Sequence, residues 1–267
     1  MEKEFKDLFH LNDVLIIPSP PSGDSLNDSL AQAASMYINQ RIKDNSYINM
    51  GYGDTPSRIL NYLAQRSESP INVVSLTGGV NYYLPNAQSS IFNARLHLIP
   101  SPLILSSSSI MEEYLLQRQL APEARGDIKV MEELKKENDI QRIANMALIS
   151  DFTVMGIGGM DTSAATIIKN AILTPDDYLF LQKQGAVGDI LSHFIDIHGH
   201  LIDSDLEKRL MSPPLTKIEK FNNVVGVAGG PHKVEAIYAT LMGNYLDVLI
   251  TDENTAVTIL ELYQSKQ

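Results

Sequence analysis

The chain has 267 residues, with 44% apolar and 20% charged content, and its 21 Lys+Arg against 32 Asp+Glu leave a formal charge of −11. It contains no cysteine, which excludes a disulfide framework, a thiolate zinc site and a cysteine nucleophile, and is compatible with a reducing, cytoplasmic setting. No apolar run reaches the roughly 18 residues of a membrane span, and an acidic surface repels phosphodiester backbones, which argues against nucleic-acid binding by this chain alone.

Short apolar runs alternate with amphipathic stretches, the pattern of a mostly parallel sheet covered by helices. Met1 to His10 is charged, with no apolar core like that of a signal peptide. Val14 to Ile17 is the first strand, stopped by Pro18. Leu26, Leu30, Ala33, Ala34, Tyr37, Ile38 and Ile42 then recur at helical spacing. A strand leads to Gly51-Tyr52-Gly53-Asp54-Thr55-Pro56, where Thr55 and Pro56 are expected to open a helix carrying Ile59, Leu60 and Leu63 on one face. Ile71 to Leu76 reads as a buried strand ending in Thr77-Gly78-Gly79. Leu96 to Leu105 reads as a strand pair or a strand with a proline break, and helices are expected around 109–120 and 128–148.

Phe152 to Gly156 is the next strand, running into Ile157-Gly158-Gly159. Thr174-Pro175-Asp176-Asp177 starts a helix and Gly185 stops it. Asp189 to Ile202 is expected to be a hairpin turning at His198-Gly199. Val224–Ala228 and Leu246–Ile250 are strands joined through Gly229-Gly230-Pro231 and a helix with Val234, Ile237, Tyr238 and Leu241 in one stripe, and a final helix runs from Asp252 to Leu262.

Four buried-type strands thus end in small-residue loops: Gly51/Gly53/Thr55, Thr77/Gly78/Gly79, Gly156/Gly158/Gly159 and Gly229/Gly230. In open parallel sheets ligands sit beyond the carboxyl ends of the strands, and helix N-termini there suit phosphate or sugar oxygens. One such loop is only punctuation; four on one edge point to a polar small-molecule site. Lys233 stands in the first turn of a helix, where the macrodipole disfavours a cation. A bound anion would account for it, and so would simple solvation. Asp252 and Glu253 follow the last strand directly, where the dipole alone would favour them. Asp189 could accept sugar hydroxyls or cap a turn. His198 and His200 with Asp196 and Asp203 could bind a metal, but a His-Gly turn is more simply solvated, and no metal or cofactor is expected. No Gly-x-Ser-x-Gly elbow, Walker loop or full Gly-x-Gly-x-x-Gly is present.

Taken in order, several of these segments resemble the sugar-binding domain of SorC-type bacterial transcriptional regulators. They are Asn12-Asp13-Val14-Leu15-Ile16-Ile17-Pro18-Ser19, Gly51-x-Gly53-x-Thr55, Leu76-Thr77-Gly78-Gly79, Gly156-Ile157-Gly158-Gly159, Gly185-Ala186-Val187-Gly188-Asp189-Ile190, Val224 to Lys233 and Leu246 to Glu253. The resemblance runs from about Leu8 to Leu262. It implies an α/β, Rossmann-like three-layer sandwich with a small subdomain, related to glucosamine-6-phosphate deaminase, ribose-5-phosphate isomerase and the CoA-transferases. It implies a sugar or sugar-phosphate effector at the strand ends, a homodimer or homotetramer without membrane contact, and operator binding only through an N-terminal helix-turn-helix. Residues 1–10 are too few for that module and are expected to be linker to it, with 11–267 as the effector domain.

On this reading the effector meets Gly51, Gly53, Asp54, Thr55, Thr77, Gly78, Gly79, Gly156, Gly158, Asp189, Lys233, Asp252 and Glu253. The alternative is a sugar-phosphate isomerase or deaminase-like enzyme, since Gly230-Pro231-His232-Lys233 resembles a phosphate-contacting Gly-x-x-Lys. After Gly158-Gly159, however, Met160 to Ala165 contains no histidine. The acid–base set is incomplete, and no catalytic residue is expected. Asp54 stands where the family often places arginine, and would repel a phosphate at that helix end.

Overall fold

A computed structural model describes residues 1–20, 23–51, 53–66, 71–76, 94–98, 132–133, 135–136, 138–160, 175–202, 205–210 and 212–266. The strands are β1 (Asp13–Ile17), β2 (Tyr47–Met50), β3 (Ile71–Ser75), β4 (Ala94–Leu98), β5 (Phe152–Gly156), β6 (Gly158–Gly159), β7 (Ala186–Ile190), β8 (His193–Asp196), β9 (Val224–Val227) and β10 (Val248–Asp252). The helices are α1 (Glu2–Phe9), α2 (Gly23–Asn39), α3 (Asp54–Arg66), α4 (Asn138–Leu148), α5 (Pro175–Lys183), α6 (Asp205–Arg209), α7 (Val234–Met242) and α8 (Glu253–Ser265). Among the described residues no helix is long and apolar enough to cross a membrane.

Seven strands form one parallel sheet in the order β1-β10-β9-β5-β2-β3-β4. Neighbouring residues along a strand face opposite cores. Val73, Val154, Val225 and Ile250 pack with α2 and α3, whereas Val74, Met155, Val224 and Leu249 pack with α1, α4, α7 and α8. That two-sided burial is why these strands read as continuous apolar runs. The steps β1 to β2 and β2 to β3 move one way across the sheet, with α2 and α3 on one face. The steps β4 to β5 and β9 to β10 move the other way, with α4 and α7 on the other face. Reversing both direction and face keeps one crossover hand throughout. The chain leaves β2 towards β3 and returns at β5, so the topological switch point lies between β2 and β5.

A buried polar cluster pins α4 to the sheet. Asn49 Nδ2 donates to Ala147 O and Thr153 Oγ1, both at 2.9 Å, and Asn49 Oδ1 accepts from Ser150 Oγ at 2.8 Å. The smaller antiparallel sheet β6-β7-β8 lies against α7. It can lie so close because Gly188 has no side chain: a Cβ there would run into Ala236 Cβ. Its outer side is closed by Leu181, Ala186, Phe194, Ile202 and Leu206.

Three expectations change. Residues 2–9 form a helix whose Phe5 and Phe9 are buried and whose Phe9 ring meets Tyr263 edge-on at 5.4 Å; what reads as linker belongs to the core. Glu2 also accepts from Ile16 N at 3.0 Å, closing part of the exposed edge of β1. The hairpin turns at Leu191-Ser192, both with positive φ, and His198-Gly199 makes a second turn leading to the Ile195–Leu201 bridge. Helix α3 starts at Asp54, because Gly53 O already accepts from Ser57 N at 3.2 Å. Strand β4 ends at Leu98, and residues 99–105 and 109–120 lie outside the described residues.

Candidate functional site

The switch point collects residues from four loops. Gly51 ends β2 against β5 and the hairpin turn: a Cβ there would lie 3.0 Å from Leu191 Cδ2 and 3.3 Å from Met155 Cβ. Gly53 has φ 140, a conformation that L side chains rarely adopt. Gly156 faces the start of α3, with Pro56 Cδ 3.4 Å from where its Cβ would be. Gly158 pairs with Asp189, and its missing side chain leaves the space that the Asp189 carboxylate fills. Gly159 in turn meets the backbone of His232, next to Lys233. Thr77, Gly78 and Gly79 lie outside the described residues.

Asp189 and Lys233 bring opposite charges to this crevice without meeting in an ion pair. Burial pushes the Asp189 carboxyl up to about 6, against the pull of the Ser192 N–H, Lys233 and His193. Asp189 Oδ2 accepts from Ser192 N at 3.2 Å. Lys233 ends a short 3-10 turn, Pro231–Lys233, and stands at the N-cap of α7. Burial lowers its pKa, while the carboxylates of Asp189 and Asp54 pull it back. Among the described residues no ion pair within 4.0 Å involves Lys233.

Asp54 does not leave its charge open to the crevice. Its Oδ2 takes Arg58 Nε at 2.8 Å and Asn27 Nδ2 at 3.2 Å. The i,i+4 partner offsets the repulsion that a carboxylate at the α3 N-terminus would exert on an anion. Thr55 is buried in the same turn.

Asp252 stands apart, one strand beyond β9, and is 2% exposed. Its oxygens accept from Ser19 Oγ at 2.6 Å, Thr255 Oγ1 at 2.5 Å, and Thr255 N and Gly230 N at 3.3 Å each. This carboxylate caps α8 and ties the loops after β1 and β9 to it. Glu253 is exposed in the first turn of α8. Sequence reasoning misses Leu191, Ser192 and His193 at the crevice wall, because neither Leu nor Ser signals a left-handed turn. Among the described residues no group of three metal-ligating side chains forms.

The Asp189 environment has a stability consequence. Its folded pKa, about 6, lies above the ordinary aspartate value of 3.8, so the folded state holds its proton more tightly than the unfolded state. Stability from this group is therefore full below about pH 4 and is lost as pH rises to about 6. The shift from 3.8 to about 6 corresponds to at most about 3 kcal/mol. Asp189→Asn removes the buried charge. We expect it to stabilise the domain by about 1–2 kcal/mol at pH 8 and to change little at pH 4, measured by urea unfolding at both pH values.

Known proteins match over nearly the whole chain. The family model Sugar-bind, described as "Putative sugar-binding domain", matches residues 1–261. Transcriptional regulator LsrR from Klebsiella pneumoniae is 27% identical over 268 residues, covering 98% of this chain and 76% of that protein. LsrR from Escherichia coli O157:H7 is 29% identical over 262 residues, covering 97% and 76%. Among solved structures, the full-length sorbitol operon regulator SorC from Klebsiella pneumoniae superposes with a TM-score of 0.75 at 19% identity, covering 97% of this chain and 80% of that one. A transcriptional regulator from Streptococcus pneumoniae TIGR4 gives a TM-score of 0.75 at 22% identity, covering 98% and 96%. The matched relatives are regulators rather than isomerases, and the chain belongs to the sugar-binding domain family of transcriptional regulators.

Proposed function

We propose that this domain senses a phosphorylated sugar at the β2/β5 crevice, with Lys233 as the phosphate partner and Asp189 as the acceptor for sugar hydroxyls. The observation that carries this reading is Lys233: a partly buried cation at a helix N-terminus, without an ion pair among the described residues. Helix stability does not call for a cation there; a phosphate would compensate its buried charge. The pairing of Asp54 with Arg58 also leaves the α3 N-terminus suited to anion binding. Gly51, Gly53, Thr55, Gly156 and Gly158 shape the crevice.

The sugar acts as an effector, without turnover. Its binding shifts a two-state equilibrium in a cytoplasmic homodimer or homotetramer and so changes operator binding by a helix-turn-helix in a separate domain. Asp252, at the far strand, supports loop geometry rather than the ligand. Phosphorus NMR tests the absence of turnover. A pentose or hexose phosphate that binds should show a shifted or broadened resonance on adding the domain, with no product signal after prolonged incubation. A growing product resonance would return the chain to the isomerase or deaminase class.

A further inference from the structure

His193 opens β8 and is 2% exposed. Its Nδ1 lies 2.7 Å from Glu207 Oε2, and its Nε2 lies 2.9 Å from Pro213 O. A carbonyl only accepts, so Nε2 carries a hydrogen. The Glu207 contact needs one more hydrogen, on the ring or on the carboxyl. The ring and the carboxylate thus share one hydrogen bond at 2.7 Å between β8 and α6. Among the described residues, Glu207 Oε1 is buried without a hydrogen-bond partner. Lys135 is a cation that senses Glu207.

The two residues before His193 are unusual. Leu191 has φ 52 and Ser192 has φ 70. A non-glycine residue in the left-handed region costs about 1 kcal/mol or more and persists only where its surroundings over-determine it. Here both ends of the turn are fixed. Leu191 is buried beside Gly51 and Met155, and His193 is gripped by Glu207 and Pro213. What the turn provides is the Ser192 N–H, which reaches Asp189 Oδ2.

We propose that His193 is a positioning residue of the effector crevice. Clamped by Glu207 and Pro213, it holds the left-handed Leu191–Ser192 turn and, through the Ser192 N–H, fixes the Asp189 carboxylate towards the ligand. The inference rests on the reading of the crevice as the effector site. It also ties α6 and the segment through Pro213 to that site, although neither touches it. Among the described residues, the titratable groups around Asp189 are Lys233 from the start of α7 and His193 from β8, with Asp54 beyond Lys233.

The test needs no sugar. Carbon-13 NMR follows the Asp189 carboxyl in the ligand-free domain, with the signal assigned by its loss in Asp189→Asn. In the unaltered chain it should titrate at about 6. His193→Gln keeps a donor for Pro213 but loses the Glu207 grip. With the turn released, the Ser192 N–H no longer supports the carboxylate, and the Asp189 midpoint should rise by about 1 unit. Glu207→Gln, which leaves the ring in place, should raise it in the same direction and serves if His193→Gln does not fold. An unchanged midpoint in a folded variant, with only a lower melting temperature, would overturn the positioning role and leave His193 as a packing residue. If no sugar phosphate bound the unaltered chain, the effector reading would fail while the midpoint shift still supported the positioning.

Discussion

Asp252→Ala should destabilise the domain by about 2–4 kcal/mol, measured by urea unfolding at neutral pH. The carboxylate holds four donors on three chain segments: Ser19, Gly230 and Thr255, the last through both its N–H and its hydroxyl. Losing an N-cap alone costs about 1 kcal/mol. The rest comes from the Thr255 N–H and hydroxyl left behind where water is excluded, while Gly230 N keeps its 2.7 Å bond to Thr255 Oγ1. Asp252→Asn keeps one acceptor oxygen and should cost about half as much. It also separates two roles. A ligand-contacting Asp252 would lose effector affinity with little loss of stability; a cap loses stability first.

Lys233→Ala should behave in the opposite way. Effector affinity should fall by about 1–3 kcal/mol, the range for hydrogen bonds to a charged group. That is roughly 5- to 150-fold in Kd, read by calorimetry. Stability of the ligand-free domain should change little, because the variant removes a partly buried cation from a helix N-terminus. Lys233→Met, which keeps much of the apolar stem, should lose the same affinity. An unchanged Kd in both variants would remove Lys233 from the site.

The two residues show how far the sequence is legible. Lys233 stands out because its position breaks a local rule: a cation where the helix dipole disfavours one. Asp252 obeys the local rule, and its neighbours in sequence do not reveal that Ser19 and Gly230 converge on it. Parallel strands buried on both faces announce themselves as apolar runs, so β1, β2, β3, β5, β9 and β10 are readable. Their glycine ends also mark the carboxyl edge of the sheet. The wall of the crevice is not readable. Leu191 and Ser192 adopt left-handed backbone only because Leu191 packs beside Gly51 and His193 is held by Glu207 and Pro213. Those contacts are tertiary, and local propensity points instead to His198-Gly199. Gly158 and Gly159 read as strand-end glycines open to a ligand, yet what their bareness admits is Asp189 and the His232 backbone. The helix at residues 2–9 is hidden by its charge, which masks the spacing of Phe5 and Phe9.

The most direct test of the central claim is a thermal-shift comparison of the purified domain with sugar phosphates and the same sugars without phosphate. A ligand at ~100 times its Kd stabilises the native state by about 2.7 kcal/mol. For a chain of this size that is a rise in Tm on the order of 5–10 °C. The account predicts such a rise with at least one sugar phosphate, none with its dephosphorylated form, and its loss in Lys233→Ala. A rise with free sugars alone, or no rise with any sugar phosphate, would contradict it.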